Sequence, residues 1–395
     1  MIALILLGLV TPALAQEQTD NFNVSAKHAI AIEATTGKVL YEKDATTPDG
    51  VASMTKILTA YMVYKAVDQG KITWDTEVDI SDYPFNLTVD SEVSNVPLDS
   101  RKYTVKQLLD ATLISSANSA AIALAEKISG SESAFVDTMT AQLKEWGITD
   151  AKLFNASGLN NKYLGDNRYP GSKADDENTM SALDVAIIAD HLIKDYPQVL
   201  EITKQTETDF EGNNKLTTHN YMLEGQDNYR EGVDGLKTGT TELAGASFVA
   251  HANENGMSLI TVVMNADNGG EDEAARFTAT NELLDYVTQN WKIKTLNTKG
   301  QIVKKNDIKV ADGDSQTISA KLESDLTVVQ KINSKNDAVK IKAKTITAPI
   351  KKDDTIGTAT FDDKDLVGTG YISDPPQISV TANQSIKKSF FLKVW

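Results

Sequence analysis

Residues 52–60 read Ala-Ser-Met-Thr-Lys-Ile-Leu-Thr-Ala, which places Ser53 where a loop enters a helix and Lys56 one turn later. Pro48-Asp49-Gly50 predicts the loop, and apolar residues at helical spacing after Ser53 predict the helix. A serine at this position is most often a helix cap. However, residues three apart lie on one face of a helix, so Lys56 can approach the Ser53 hydroxyl. The stretch therefore predicts either a capped helix or a nucleophilic serine with its base.

A lysine can act as the base for such a serine only when it is neutral. A serine hydroxyl is a weak nucleophile until a neighbouring base takes its proton. Burial, or a second cation nearby, lowers the pKa of a lysine and makes the neutral form available. The start of the same helix leaves backbone N–H groups unpaired, and these can face the oxyanion of an acyl transfer. Ser53 and Lys56 are therefore the candidate nucleophile and base.

Two further motifs follow in order along the chain. Ser116-Ala117-Asn118 lies between two predicted helices, and Lys237-Thr238-Gly239-Thr240 ends a predicted strand. The first motif is typical of a helix-to-helix connection, or it supplies a relay hydroxyl and an amide for substrate or lysine. The second is typical of an edge strand with a solvated lysine. Alternatively, its lysine and hydroxyls hold a carboxylate beside a glycine that lets another backbone approach.

The pattern of elements predicts an α+β fold for the first part of the chain. Residues 29–33 and 39–43 predict a β-hairpin, and residues 104–107 have the form of a capping box. The other predicted helices cover residues 119–128, 181–193 and 273–290, and the other predicted strands cover residues 233–240, 247–252 and 258–265. Strands at both ends with helices between them predict an antiparallel sheet covered by helices, not a doubly wound one.

The two ends of the chain differ from the middle in their residue composition and hydrophobic pattern. Residues 1–15 combine a short apolar run with Ala13-Leu14-Ala15, which predicts a secretory signal. We expect a start upstream, since no Lys or Arg precedes the run. Residues 292–385 alternate in short segments and predict a separate all-β domain, so the catalytic domain spans residues 24–291. Residues 386–395 mix Lys with Phe, Leu and Trp, which predicts either a last strand or the start of an amphipathic membrane anchor that continues further.

Composition excludes several classes of function. The 395 residues carry a net charge of −16, and this acidity argues against a nucleic-acid partner. The chain has no cysteine, so disulfides, thiolate catalysis and cysteine-built zinc sites are excluded. Its four histidines lie far apart without metal-ligand spacing, and no phosphate-binding loop motif occurs. We therefore predict no metal and no cofactor.

The three motifs in this order resemble the penicillin-binding and serine β-lactamase superfamily. The longer phrases narrow the resemblance to low-molecular-mass D-alanyl-D-alanine carboxypeptidases; these phrases are residues 52–60, 113–121, 154–159 and 232–240. The resemblance covers residues 26–291, and the β-rich tail fits the same family. It implies a β-lactamase/transpeptidase-like catalytic fold followed by a C-terminal all-β domain.

The resemblance also implies catalytic residues. Ser53 is the nucleophile that substrate and penicillin acylate, Lys56 is the acylation base, and Ser116 relays the proton to the leaving D-alanine. The backbone N–H groups of Ser53 and Thr240 form the oxyanion hole. Some relatives carry histidine after Lys-Thr-Gly, whereas this chain has Thr240, which keeps a backbone donor.

Substrate binding is implied for a second set of residues. Asn118 orients Lys56 and substrate, and Lys237 faces the terminal carboxylate of the substrate, assisted by Thr238, Gly239 and Thr240. Arg276 receives no assignment from the sequence, since acidic residues precede it.

The implied partners are peptidoglycan stem peptides, β-lactam antibiotics and, through the C-terminal amphipathic segment, the outer face of the cytoplasmic membrane. The implied location is exported, extracytoplasmic and peripherally attached to the membrane. Two alternatives are a serine β-lactamase and a non-catalytic penicillin-binding scaffold. Against the β-lactamase, this chain has no Glu-x-x-Leu-Asn phrase between the second and third motifs. The second conflicts with the intact Ser53, Lys56, Ser116 and Lys237.

Overall fold

A computed structural model describes residues 21–89, 92–304, 307–343 and 345–389. The predicted signal at residues 1–15 and the end of the predicted anchor, residues 390–395, lie outside the described residues. Within the described residues, a part built of strands and helices carries the three motifs, and a part built of strands follows it.

The first part begins and ends with long strands. Its strands are β1 (Ala26–Glu33), β2 (Lys38–Lys43), β3 (Asp49–Gly50), β4 (Glu77–Asp79), β5 (Lys102–Thr104), β6 (Thr179–Met180), β7 (Glu207–Asp209), β8 (Lys215–Thr217), β9 (Val233–Thr241), β10 (Gly245–Glu254) and β11 (Met257–Ala266). Its helices are α1 (Lys56–Asp68), α2 (Asp82–Leu87), α3 (Val105–Leu113), α4 (Asn118–Ser129), α5 (Glu132–Glu145), α6 (Ala182–Asp195), α7 (Leu200–Thr203) and α8 (Ala275–Asn290). Short 3₁₀ turns cover Ala52–Thr55, Asn161–Tyr163, Gly165–Asn167 and Pro197–Val199.

Five strands form one antiparallel sheet in the order β2-β1-β11-β10-β9. Ile30 and Ile32 of β1 pack into a core with residues of α1 and α3–α6, whereas Ala29 and Ala31 pack into a second core with residues of α8. This alternation is the two-residue period of a strand that is covered on both faces. The predicted antiparallel sheet covered by helices is therefore confirmed.

The local predictions differ from the structure mainly at element ends. Ser53 lies in the 3₁₀ turn Ala52–Thr55, so the α-helix begins at Lys56 and not at Ser53. Such turns are common where a helix starts. The predicted capping box is present. The Thr104 hydroxyl oxygen accepts from the backbone N–H of Gln107, and the Gln107 side chain accepts from the backbone N–H of Thr104. Helix α5 was not predicted from the sequence.

The second part contains only strands among its described elements. These are β12 (Trp291–Asn297), β13 (Ile308–Ala311), β14 (Thr317–Ile318), β15 (Ala320–Leu322), β16 (Leu326–Lys331), β17 (Val339–Lys342), β18 (Ile346–Thr347), β19 (Thr355–Phe361) and β20 (Gln377–Ala382). They enclose a separate apolar core that includes Leu326, Ala359 and Val380. The predicted C-terminal all-β fold is confirmed.

A buried lysine joins the two parts. Lys38 of β2 is fully buried, and its Nζ lies 2.7 Å from the Asp363 carboxylate and 2.9 Å from the Val329 carbonyl oxygen. Asp363 also accepts from the Tyr371 hydroxyl at 2.7 Å. The Lys38 ammonium lies 4.7 Å from the centre of the Trp291 ring. A charge of the first part is therefore neutralised by the second.

The end of the described chain returns to the β-rich part. Ile386 makes a β-bridge with Ile350, and Lys388 makes one with Gly313. The first residues of the predicted anchor therefore pair with connecting segments of the β-rich part. Among the described residues, no helix has the length and apolar character needed to span a membrane.

Candidate active site

Ser53 and Lys56 meet at the start of α1. Ser53 Oγ lies 2.8 Å from Lys56 Nζ. Lys56 is the first residue of the helix and is fully buried. The 3₁₀ turn brings the serine over the lysine within hydrogen-bonding distance. The structure thus brings together the nucleophile and base that the sequence proposes.

The remaining contacts of Lys56 define the direction of its lone pair. Its Nζ lies 2.7 Å from Asn118 Oδ1 and 2.7 Å from the carbonyl oxygen of Ser157. Both oxygens can only accept. A neutral amine that donates its two hydrogens to these acceptors has its lone pair left for the Ser53 hydroxyl. The site can therefore hold Lys56 ready to take the Ser53 proton.

The electrostatics favour the neutral form of Lys56. Burial lowers the pKa of Lys56 well below its ordinary value, and the neighbouring Lys237 lowers it further. Burial lowers the pKa of Lys237 to about 7, and the Arg276 guanidinium also contributes. Desolvation and nearby like charge both disfavour an ammonium ion. Lys56 is thus suited to act as a base near neutral pH.

Asn118 and Ser116 approach the same centre from the connection between α3 and α4. Asn118 Nδ2 donates to the Ser94 carbonyl at 2.9 Å, which fixes Oδ1 toward Lys56. Ser116 has a φ of 55° and lines a cavity that also contains Ser53. A positive φ is uncommon for serine and marks a backbone held by its surroundings. Among the described hydrogen bonds, Lys56 is joined to Ser53, Asn118 and Ser157 and not to Ser116.

Two cavities adjoin at Ser53, and Ser53 and Thr240 line both. The first cavity is also lined by Ser116, His219, Thr238 and Arg276. The second is also lined by Asn118, Leu159, Asn160 and Glu177. The candidate nucleophile is therefore shared by two cavities, and the first of them contains the Arg276 cation together with the Glu92 and Glu273 carboxylates.

The residues of the third motif have different positions relative to this cleft. Thr238 and Thr240 line it. Lys237 is buried, and its Nζ donates to the Thr238 carbonyl at 3.1 Å. A Cβ on Gly239 would meet the Val51 carbonyl oxygen at 2.7 Å, so glycine lets β9 approach the turn that carries Ser53.

Arg276 is the site residue that sequence reasoning left without a role. It comes from the first turn of α8 and is 2% exposed. Its guanidinium donates to Thr240 Oγ1 at 2.7 Å and to the Gly239 carbonyl at 3.0 Å. The helix 273–290 was predicted, but its packing on β10 and β11 was not, and that packing lets the Arg276 side chain reach the end of β9.

His219 is a second cleft residue without a predicted role. Burial lowers its pKa to about 4, and the neighbouring Lys237 contributes. His219 is therefore neutral at pH 7 and adds no charge to the cavity that it lines with Arg276.

Comparison with known proteins agrees with this geometry. Residues 14–268 match the family model described as D-alanyl-D-alanine carboxypeptidase, and residues 291–388 match the C-terminal domain of penicillin-binding protein 5. The first match covers more than half of the chain. The chain belongs to the D-alanyl-D-alanine carboxypeptidase family.

Individual relatives cover nearly the whole carboxypeptidase chain. The D-alanyl-D-alanine carboxypeptidase DacF of Bacillus subtilis is 30% identical, over 99% of this chain and 94% of its own. The crystal structure of PBP3 from Streptococcus pneumoniae, a peptidoglycan synthesis regulatory factor, is 51% identical, with a TM-score of 0.84 over 93% of this chain and 100% of its own. Penicillin-binding protein D2 from Listeria monocytogenes, in an ampicillin-bound form, is 27% identical, with a TM-score of 0.56 over 68% of this chain and 99% of its own.

These findings confirm the predicted family and the predicted serine-type carboxypeptidase. They favour it over a β-lactamase or a non-catalytic scaffold, because the family model and the curated relatives are carboxypeptidases. The segment at residues 154–159 supported the resemblance, but its contact with Lys56 was not predicted. A backbone carbonyl leaves no signature in the residue types, so only the fold shows the contribution of Ser157.

Proposed function

We propose that this carboxypeptidase removes the terminal D-alanine of peptidoglycan stem pentapeptides through an acyl-enzyme on Ser53. The observation that carries the proposal is the 2.8 Å separation of Ser53 Oγ and the buried Nζ of Lys56. The two other contacts of that Nζ are Asn118 Oδ1 and the Ser157 carbonyl oxygen, which can only accept. Of the three partners, only the Ser53 hydroxyl can therefore donate a proton to the lone pair of a neutral Lys56.

Acylation follows from this arrangement. Ser53 Oγ attacks the carbonyl carbon of the D-Ala–D-Ala bond and passes its proton to Lys56. The carbonyl oxygen becomes an oxyanion, which the N–H groups of Ser53 and Thr240 stabilise. Ser116 then relays the proton to the leaving nitrogen, the C–N bond breaks, and D-alanine departs. The acyl group remains on Ser53 as an ester.

Deacylation regenerates the enzyme with water as the second reactant. A water molecule loses a proton to Lys56 and attacks the ester carbon. The bond between that carbon and Ser53 Oγ breaks, and Ser53 recovers the proton from Lys56. The shortened stem peptide leaves as a carboxylic acid, which then loses its proton to solvent, so each atom of the added water is accounted for.

Substrate binding uses the two sides of the cleft. The substrate carboxylate lies on the side where Thr238, Thr240 and Arg276 line the cavity, with Lys237 buried next to Thr238. Gly239 lets the strand lie close to Ser53. Asn118 contacts the acyl part of the substrate while it holds Lys56. Charge-assisted hydrogen bonds to a carboxylate are about twice as strong as neutral ones.

A β-lactam acylates the same serine in this proposal. The Listeria relative was solved in an ampicillin-bound form, and this chain shares its fold. A penicillin presents an acyl carbon and a carboxylate to the same two parts of the cleft. Because its leaving nitrogen stays tethered, the product is a penicilloyl ester on Ser53.

We also propose that the protein acts outside the cytoplasm. The curated relatives are named as carboxypeptidases of a bond that occurs in the cell wall. The signal at residues 1–15, the domains at 24–291 and 292–385, and a membrane contact through residues 386–395 belong to the same proposal. The mixture of Lys and large apolar residues at 386–395 supports the contact with the membrane.

Mass spectrometry after penicillin treatment tests the nucleophile and the family together. Purified protein is incubated with benzylpenicillin, digested and analysed for a penicilloyl adduct on the peptide that contains Ser53. D-Alanine release from a pentapeptide ending in D-Ala-D-Ala is measured in parallel. Ser53→Ala should abolish both signals. The proposal is wrong if the variant still takes up penicillin or still releases D-alanine, and rapid penicillin turnover without D-alanine release would instead indicate a β-lactamase.

A further inference from the structure

A buried glutamate lies behind the segment that holds Lys56. Glu132 is the first residue of α5 and is 5% exposed. Its Oε1 accepts from the backbone N–H of Ala156 at 2.9 Å, and its Oε2 accepts from the Tyr83 hydroxyl at 2.7 Å. Tyr83 belongs to α2. Glu132 therefore connects two helices to the segment at residues 155–158.

The segment is held from a second side by α1. Thr59 Oγ1 donates to the Ala156 carbonyl at 2.6 Å. Both polar backbone groups of Ala156 are thus occupied, the N–H by Glu132 and the carbonyl by Thr59. The next carbonyl along the chain is that of Ser157, which accepts from Lys56 at 2.7 Å. The position of this acceptor depends on how Ala156 is held.

Hydrogen bonds from Asn155 and Asn178 hold the backbone of the segment in one conformation. Asn155 Oδ1 accepts from the N–H of Ser157 at 3.2 Å and from the N–H of Gly158 at 2.6 Å. Asn178 Oδ1 accepts from the N–H of Phe154 at 2.6 Å. The Asn155 bonds fix the internal shape of the segment. Its placement against α1 is fixed by Glu132, by Thr59 and by Asn178, whose Nδ2 donates to the Asn155 carbonyl at 2.9 Å and to Thr55 Oγ1 at 3.1 Å.

We propose that Glu132 is a positioning residue for the catalytic lysine. It holds the Ala156 N–H, which places the Ser157 carbonyl as one of the two acceptors that direct the Lys56 lone pair at Ser53. Without Glu132 the segment shifts, Lys56 loses this acceptor, and acylation slows while substrate still binds. The inference rests on Lys56 as the base in the proposed function.

The acceptor atom of Glu132, not its charge, performs this task. Burial raises the pKa of Glu132 to about 7, and the Glu126 carboxylate nearby contributes to the increase, whereas the bonds from Ala156 and Tyr83 oppose it. Either protonation state keeps an oxygen for the Ala156 N–H. Glutamine offers the same oxygen without a charge, and its amide can donate to the Tyr83 oxygen. Glu132→Gln should therefore preserve the arrangement.

The experiment compares Glu132→Ala with Glu132→Gln in the full chain. Acylation by fluorescent penicillin is followed by stopped flow, and kcat and KM are measured for a pentapeptide ending in D-Ala-D-Ala. We expect Glu132→Ala to slow acylation about 100-fold, as a base displaced by about 1 Å would, with KM unchanged. Glu132→Gln should acylate at close to the wild-type rate. Glu126→Gln is the matched control, because Glu126 accepts from Ser81 and has no described bond to the segment.

Each outcome decides the proposal. A wild-type acylation rate for Glu132→Ala overturns it, as does a Glu132→Gln variant that is as slow as Glu132→Ala. If Glu132→Ala does not fold, Glu132→Asp decides, because the shorter side chain keeps the carboxylate but withdraws its oxygen from the Ala156 N–H: slower acylation at unchanged KM supports the proposal, and a wild-type rate overturns it. Failure of the proposed function is distinguishable, since the unmodified protein would then release no D-alanine and take no label at Ser53.

Discussion

Arg276 and Thr240 are 36 residues apart in the sequence, yet the Arg276 guanidinium donates to Thr240 Oγ1 at 2.7 Å. The contact brings the first turn of α8 against the end of β9. Arg276 also lines the cavity that contains Ser53, Ser116 and Thr238. The five N–H donors of the guanidinium are already used, by the carbonyl oxygens of Gly239, Ser247 and Glu273, by Thr240 Oγ1 and by the Glu273 carboxylate, so Arg276 acts on the cleft through its charge and through the Thr240 hydroxyl. The cleft therefore presents a charged group that the three sequence motifs do not contain.

Arg276→Ala should weaken recognition of the substrate carboxylate. We expect kcat/KM for the D-Ala-D-Ala pentapeptide to fall about 10- to 100-fold, since Arg276 orients the Thr240 hydroxyl that lines the cavity, and a hydrogen bond to a charged group contributes about 1.5–3 kcal/mol. The same peptide with a C-terminal amide is the control, because it has no carboxylate to lose. Steady-state kinetics on both peptides check the prediction. An equal loss on both would show that Arg276 only supports the local fold.

Lys237 should influence the pH at which acylation begins. Burial is the main cause of the lowered pKa of Lys56 and the Lys237 cation adds to it, so removing this cation raises that pKa and moves the acid limb of the rate profile to higher pH. Lys237→Gln should show this shift. Lys237→Arg retains a cation and should show little or none. The penicillin acylation rate measured against pH checks the prediction. An acid limb at the same pH in both variants would contradict it.

Gly158→Ala should damage both the fold and the site. Gly158 has a φ of +82°, and a Cβ there would overlap the carbonyl oxygen of Ala52, next to Ser53. Gly130 has a φ of +81° with open space around it, so Gly130→Ala is the matched control. We expect the control to lower the free energy of unfolding by about 1–2 kcal/mol. Gly158→Ala should lower it by about 1–3 kcal/mol more, because overpacking adds its own cost.

Urea denaturation of the two glycine variants gives both free energies, and fluorescent penicillin gives the acylation rate. Acylation should be lost in Gly158→Ala and retained in Gly130→Ala. Equal stabilities for the two variants would show that the turn can move away from the added methyl group.

Lys38→Met should destabilise the protein strongly. The variant leaves the buried Asp363 carboxylate without its cation, and breaking a buried pair costs about 3–5 kcal/mol. Lys102→Met is the control, since Lys102 pairs with Glu77 at the surface and its removal should change stability little. Urea denaturation of both variants checks the difference. Similar stabilities would mean that Asp363 finds another partner, such as water.

The sequence predicts those parts of the site that depend on local geometry. Ser53 and Lys56 are three residues apart, and their contact follows from one helical turn. The sheet follows from apolar-rich strands and turn residues at both ends of the catalytic part. The order of the three motifs then identifies the family.

Other parts of the site depend on contacts distant in sequence or on backbone atoms. Arg276 reaches the cleft only because α8 packs on the sheet next to β9. The Ser157 carbonyl is a backbone group, which any residue type would supply at that position. Glu132 begins an unpredicted helix, and its burial is set by α2 and the segment at residues 155–158. No spacing rule relates these residues to Ser53, so they become visible only once the chain is folded.

The joint at Lys38 has a mechanical consequence. A flexible linker would let the catalytic part swing freely about the β-rich part. Here Lys38 belongs to β2, which pairs with β1 in the sheet behind the cleft, and its charge is neutralised inside the β-rich part. A tilt of the β-rich part is therefore transmitted to the sheet and to the cleft. A surface that binds the β-rich part therefore also sets the direction in which the cleft faces and the distance of the cleft from that surface.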